Sequence, residues 1–343
     1  MFFEEHDVYI CRADGYNTYR IPSIMKTDKG TLLAFCEGRV DNMDDHGTIH
    51  LLLKRSEDGG RTWSGASIVW SDGINTCGNP CAVQDSQTGI IWLGMNWNKP
   101  DVDSYAFFKK YDGRYVYITS SVDDGITWSK PKDITSIVKL PQWGWHATGP
   151  GVGIQLDSGR MIIPFNFSDA AGDLESCGSG VIYSDDHGES WNLGGYTDSI
   201  GLDECQVAQL SNGDVMLNAR TSKGCVPYRR ISISQDGGLS WNKVQADEQL
   251  PDQNCQGSLI CLSDGTLVFS NPTGEDRTNL TIRLSYDNGQ TWPVKRSLFE
   301  SYAAYSCLCD LGDGKIGCFY ERGVEFPYDR LSFASFDIEW LTS

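Results

Sequence analysis

The stretch Ser56-Glu57-Asp58-Gly59-Gly60-Arg61-Thr62-Trp63 is the first of five octets in this chain that share one pattern. The other copies run from Ser121 to Trp128, Ser184 to Trp191, Ser234 to Trp241 and Ser285 to Trp292, and the shared pattern is Ser-x-Asp-x-Gly-x-Thr/Ser-Trp. An internal repeat constrains the fold strongly, because each unit buries its core only against its neighbours. Short runs rich in β-branched and aromatic residues precede the octets: Ile49 to Leu53, Tyr115 to Thr119, Arg230 to Ile233 and Leu280 to Leu284. These read as strands. The octet is therefore predicted to turn one strand into the next. Its Asp accepts turn amides, its Gly supplies the positive φ, and its Trp packs onto the sheet.

Successive octet tryptophans are 65, 63, 50 and 51 residues apart. That is the length of a four-stranded antiparallel unit, with longer insertions in the early units. After the fifth copy, Leu331 to Asp337 reads as a strand of a sixth unit with a degenerate octet behind it. The run Val8-Tyr9-Ile10-Cys11 is the candidate outer strand of that unit, closing a ring and removing exposed sheet edges. The expectation is an all-β fold, a six-bladed β-propeller filling residues 1–343 as a single domain. The repeated Asp then lies around the rim and cannot converge on one site, so function must come from residues that do not repeat.

The formal net charge is −18. A balance that acidic excludes a phosphate-tracking nucleic-acid binder, and an anionic ligand would need a local cluster of arginines. No run approaches the ~20 apolar residues of a membrane span, so no membrane partner is expected. The start, Met1 to Asp7, lacks the basic and apolar regions of a signal peptide. The expected location is cytoplasmic, or secreted or periplasmic if a leader has been removed. The 12 cysteines include the close pairs Cys77/Cys81 and Cys307/Cys309, but neither has a partner pair at zinc-site spacing. They read as free buried thiols, and His146 with the other histidines makes no metal pattern.

Several phrases that do not repeat are more specific. They are Tyr19-Arg20-Ile21-Pro22, Ala34-Phe35-Cys36-Glu37-Gly38-Arg39, Gly78-Asn79-Pro80, Thr148-Gly149-Pro150-Gly151-Val152-Gly153, Tyr305-Ser306 and Tyr320-Glu321. Together with the octets, known in that setting as Asp boxes, they make the chain resemble the bacterial-type sialidase (exo-α-neuraminidase) family over nearly its whole length. The resemblance implies a retaining exo-α-sialidase that needs no cofactor. Its partner would be a sialylated glycan or a small sugar-acid glycoside.

Sialic acid carries a carboxylate on its anomeric carbon, and arginine presents a planar fork that matches it. The resemblance assigns that role to Arg20, Arg220 and Arg277; Arg283 is the bland alternative, read as a strand arginine facing solvent. A carboxylate nucleophile would meet like-charge repulsion beside that anion, whereas a phenol would not. The resemblance makes Tyr305 the nucleophile and Glu204 its base. Asp45, in the loop from Asp41 to Gly47, is the implied acid and base for the leaving group, with Asp44 as runner-up. Glu321 is implied to brace Arg20, and Arg39 to lie near the sugar's 4-hydroxyl. Asn79 stands where many bacterial members have Asp, which leaves its 4-hydroxyl contact open. Trp97, Trp143 and Trp145 are candidates for an N-acyl pocket or substrate rim, or for plain packing. Two other readings stay open. Related 2-keto sugar acids, deaminated or eight-carbon, share the anomeric carboxylate. A non-catalytic glycan-binding propeller would keep the arginines yet have no use for Tyr305 with Glu204. The sequence sets no oligomeric state.

Overall fold

A computed structural model describes residues 1–100, 113–169, 176–198, 200–222 and 226–343. The chain is all-β, and the described residues include two short helices, Thr135–Val138 and Ile338–Thr342. Among the described residues the strands form four sheets, almost entirely antiparallel. One sheet runs Leu202–Gln209, Val215–Thr221, Tyr228–Ser234, Gln245–Pro251 in simple meander order. A second is built on Trp143–Thr148, Met161–Asp169, Cys177–Ser184 and Asn192–Tyr196. The nine-stranded sheet joins two successive meanders, because Ile49–Ser56 meets Thr76–Gln84 through the single pair Ile49 and Thr76. The seven-stranded sheet is continuous because one 19-residue strand, Val294–Gly312, serves both the meander before it and the one after it.

Each octet forms the expected turn. In the first, Asp58 Oδ1 accepts the amides of Arg61 and Thr62 at 3.0 and 2.9 Å, and Oδ2 accepts the Thr62 hydroxyl at 2.6 Å. The Ser56 hydroxyl takes the amide of Gly60, which sits at φ +93°. The same bonds recur around Asp123, Asp186, Asp236 and Asp287. The octet tryptophans do more than cover their own sheet. Trp63 meets Phe333 edge-on, Trp128 meets Phe35 and Trp191 meets Trp92, so each of these turns is fastened to a neighbouring meander.

The first and last strands complete the arrangement. Phe3–Ile10 pairs antiparallel with Arg330–Asp337, with Phe3 opposite Phe336 and Ile10 opposite Arg330. One buried cluster holds Val8 and Tyr9 from the start of the chain with Phe319, Leu331 and Phe333 from its end. The degenerate octet expected behind Arg330–Asp337 is not there. Asp337 instead accepts the amide of Trp340 at 2.7 Å and caps the helix Ile338–Thr342. A carboxylate in extended backbone ahead of Ile-Glu-Trp-Leu is a helix N-cap, and no Gly follows to make the octet's positive-φ turn. Nine of the eleven cysteines among the described residues are buried, and Cys225 lies outside the described residues. No helix among the described residues is long and apolar enough to cross a membrane.

Candidate active site

The strands carrying the singled-out residues share one irregularity. Pairing register shifts between Arg20 and Ser23, Gly78 and Cys81, Leu202 and Cys205, and Ala303 and Ser306. A bulge re-aims the side chains at the point where it occurs. Asn79, Glu204 and Tyr305 fall inside these breaks, and Arg20 is the last paired residue before one. Two of the breaks hold a non-glycine residue at positive φ, Ile21 at +62° and Asn79 at +54°. For β-branched Ile21 that conformation costs about 1–2 kcal/mol, and the surroundings must hold it. Glu321 does so: its Oε1 accepts the Ile21 amide at 3.0 Å and Arg20 Nε at 2.6 Å, while Oε2 accepts the Tyr305 amide at 3.0 Å. One buried carboxylate thus fixes an arginine and two segments of backbone.

Tyr305 is buried, and its phenol donates to Glu204 Oε1 at 2.6 Å. Arg220 Nη1 donates to the same phenol oxygen at 3.0 Å and lies 2.8 Å from Glu204 Oε2. Arg220 Nη2 donates to Asp203 Oδ2 at 2.5 Å. The guanidinium carbons of Arg20 and Arg277 stand 5.3 and 5.6 Å from the centre of the Tyr305 ring. Arg20 also stacks on Tyr328 at 3.8 Å, and Arg277 donates to the Tyr328 hydroxyl at 2.9 Å and to the Asn254 carbonyl at 2.9 Å. Three guanidinium groups therefore surround one phenol. Arg283 is not among them, nor does it face solvent as expected: it is buried and donates to Asn271 Oδ1 at 3.2 Å.

Burial is the main influence on the central pair. It pushes Glu204 up to about 7 against the opposing pull of Arg220. It also pushes Tyr305 well above the ordinary phenol range, although Arg220 and Arg277 pull the other way. The phenol is neutral at pH 7, and the carboxylate beside it holds a proton more readily than an ordinary glutamate and is positioned to accept the phenol's proton.

Asp45 belongs to a second cluster. Arg39 is buried and braced by Glu37, with Nε and Nη2 at 3.1 and 2.7 Å from Glu37 Oε2. Arg39 Nη2 also reaches Asp45 Oδ1 at 2.7 Å, while the Asp45 side chain stays 68% exposed. Desolvation in the mouth pushes the Asp45 carboxyl up. The charges of Arg39, Arg20 and Arg114 outweigh it and hold the group well below the usual carboxylate range. Asp44 is exposed, with its amide on Asn42 Oδ1 at 2.9 Å. Glu37 comes this close only because residue 78 is glycine, where a Cβ would stand 2.1 Å from Glu37 Oε1. The same oxygen accepts the Asn79 amide at 3.0 Å.

Both ends of the Asn79 side chain are engaged. Nδ2 donates to the Thr148 carbonyl at 3.3 Å, and Oδ1 accepts from Arg114 Nη2. Arg114 is buried, gives Nη1 to Asn98 Oδ1 at 3.0 Å and stacks on Trp145 at 4.2 Å. Burial lowers it to about 10. Trp143 is core, stacked on Phe167 at 4.2 Å, and Trp97 donates to Asp72 Oδ2 at 2.8 Å. His146 lies flat on Phe165 and neither ring nitrogen has a hydrogen-bond partner among the described residues. Burial, then Lys139 and Arg114, keep it neutral.

Sequence reasoning did not single out Glu37, Arg114, Asp203 or Tyr328. Glu37 and Asp203 each stood within two residues of a named one, which was the available signal. Arg114 and Tyr328 carried none. Among the described residues no group of three or more His, Cys, Asp and Glu side chains is placed to hold a metal ion. The arrangement offers a desolvated phenol with a base attached, a ring of guanidinium groups suited to one carboxylate, and a solvent-accessible carboxylate at the edge.

Comparison with known proteins places the chain beside sialidases. A family model described as a BNR repeat-like domain matches residues 30–318. A sialidase of Micromonospora viridifaciens is 33% identical over 99% of this chain and 54% of its own length. A sialidase of Bacteroides fragilis is 32% identical over 91% of this chain and 61% of its own. The chain thus spans rather more than half the length of these relatives. Among solved structures, the Hadza microbial sialidase Hz136 is 28% identical and superposes with a TM-score of 0.89 over 98% of this chain and 69% of that one.

Proposed function

Because the chain belongs to the sialidase family with BNR repeats, we propose that it is a retaining exo-α-sialidase acting on terminal α-linked sialic acid of oligosaccharides or glycoconjugates. The observation that carries this reading is the Tyr305–Glu204 hydrogen bond of 2.6 Å inside a ring of Arg20, Arg220 and Arg277. We likewise propose that the meanders are six blades of a propeller with Asp-box turns, forming a single domain. The pairing of Phe3–Ile10 with Arg330–Asp337 supports that.

In this mechanism the three arginines hold the substrate's carboxylate and set its anomeric carbon against the Tyr305 oxygen. Glu204 takes the phenol proton as the oxygen attacks. The glycosidic bond breaks, its oxygen receives a proton from Asp45, and a tyrosyl glycoside remains. Asp45 then activates water on the opened face. Water attacks the anomeric carbon, and Tyr305 leaves with the proton held by Glu204, so configuration is retained. Asp45 must gain a proton before the first step, although Arg39, Arg20 and Arg114 favour its anion. A bound carboxylate offsets the charge of Arg20, and a sugar over the mouth excludes water. Both effects raise the proton affinity of Asp45.

The test is release of a fluorophore from α-glycosides of N-acetylneuraminic acid, its deaminated analogue and the eight-carbon keto sugar acid. Wild type is compared with Tyr305→Phe. The expected result is turnover of the first, reduced at least about a hundredfold in kcat by the substitution. Preference for either other glycoside would keep the chemistry and change the substrate. A folded wild type silent on all three would reduce the site to a glycan-binding one.

A further inference from the structure

The arginine assigned to the substrate already has protein partners on both edges. Arg220 Nη2 donates to Asp203 Oδ2 at 2.5 Å, while Nη1 serves Tyr305 and Glu204 at 3.0 and 2.8 Å. Asp203 is itself fixed: its Oδ1 accepts the Glu204 amide at 2.9 Å, and its carbonyl accepts the Ser179 hydroxyl at 2.6 Å. Two consecutive carboxylates on the strand Leu202–Gln209 therefore share one guanidinium, which also touches the phenol. This arrangement has a chemical consequence. A guanidinium paired with Glu204 alone would favour the Glu204 anion and make it a poor proton acceptor. A second carboxylate on the same guanidinium offsets that pull.

We propose that Asp203 is a positioning residue of the reaction: it clamps one edge of Arg220 and balances its charge, so that Glu204 stays basic enough to take the Tyr305 proton while Arg220 keeps its other edge in the mouth. The inference deepens the sialidase reading and rests on it for the identity of the reaction. The charges facing Glu204 allow it. Asp203 stands beside Glu204 on its own strand, Arg220 faces it from the next strand, and Tyr305 and Arg277 face it across the mouth. Arg229, Cys255 and Arg114 act on it from farther off. After burial, which is the larger effect, Asp203 is the neighbouring carboxylate that raises Glu204 and Arg220 the main group that lowers it.

The experiment compares wild type with Asp203→Asn, and with Asp203→Ser should the amide variant fold poorly. The Glu204 carboxyl is followed directly by carbon-13 NMR of glutamate-labelled protein without substrate, its signal assigned with Glu204→Gln. The expected result is a titration midpoint lower by about one pH unit in the variant. On a fluorogenic sialoside, the acid limb of kcat/KM should move down by the same amount. The fall should be mainly in kcat, about tenfold or more, with KM changing less than about threefold. An unmoved Glu204 midpoint overturns the inference whether or not any sialoside is cleaved. A risen KM with an unmoved acid limb overturns it too, because that is the pattern of a residue that only holds Arg220. Failure of the wild type on all three sugar-acid glycosides would refute the sialidase reading alone, since the NMR titration needs no turnover. The two ideas therefore fail separately.

Discussion

Burying Glu204 beside a phenol sets function against stability. Its proton affinity rises from an ordinary 4.5 to about 7, first through burial. A carboxyl raised by folding binds protons more tightly in the native state. That contribution is fully present below about pH 4.5 and is lost as pH rises through about 7. By linkage the ionised group costs on the order of 3 kcal/mol at pH 8. Glu204→Gln removes the titration while keeping a hydrogen-bond acceptor for Tyr305. It should therefore raise Tm by roughly 4 °C at pH 8 and leave it near wild type at pH 4.5, as turnover collapses. Calorimetric Tm values that run parallel across that range would show that Glu204 is not strained in this way. Much at this scale was legible beforehand. Arg20, Tyr305 and Glu321 stood in phrases that the resemblance picked out, the structure gathers them with Glu204, and of Asp44 and Asp45 it is Asp45 that pairs with Arg39. Arg114 was not legible, because nothing in a lone arginine between an insertion and a strand says that it will be buried against Asn79 and Trp145.

The recurring octet is the element through which the sequence spoke most plainly. Its hydrogen bonds are local, spanning four residues or fewer, so the residue types alone dictate the turn. The fourth copy is representative. Asp236 Oδ1 accepts the amides of Leu239 and Ser240 at 3.0 and 2.9 Å, and Oδ2 accepts the Ser240 hydroxyl at 2.5 Å. Partial burial pushes its carboxyl up, but the bonds from Ser240 and Ser234 win and hold it down to about 2. Asp236→Ala should destabilise by about 1 kcal/mol, as loss of a capping carboxylate does, and leave kcat unchanged. Since this group is depressed by folding, its stabilisation exists above the ordinary carboxylate range and is lost as pH falls toward about 2. Urea midpoints at pH 7 and pH 3 are the check. A variant no less stable at pH 7, or one with impaired kcat, would mean that the turn does something other than fasten strands. What could not be read was non-local. The shared strand Val294–Gly312 and the register breaks at Arg20, Asn79, Glu204 and Tyr305 depend on which strands meet, and single-strand patterns carry no trace of that.

At the scale of the whole molecule, the proposed function asks a chain of net charge −18 to receive an anion. Two fields compete, and distance decides between them. Arg20, Arg220 and Arg277 are gathered around Tyr305, with Arg39 and Arg114 close by, so their pull is strong within a few ångströms of the mouth. The acidic surface is spread over the remaining molecule and acts from farther out. The Debye length is about 30 Å at 0.01 M salt and about 8 Å at 0.15 M. At low salt an approaching sialoside therefore senses the net negative charge, and association is slowed. At physiological salt that repulsion is screened, while the arginines, partly or fully buried and at contact range, are screened much less. The expected outcome is that kcat/KM on a singly charged sialoside rises about two- to threefold between 0.01 and 0.15 M salt, with kcat constant. Steady-state kinetics over that range decide it. If kcat/KM instead falls as salt is added, the arginine mouth outweighs the body of the protein even at long range, and the acidic surface plays no part in substrate capture.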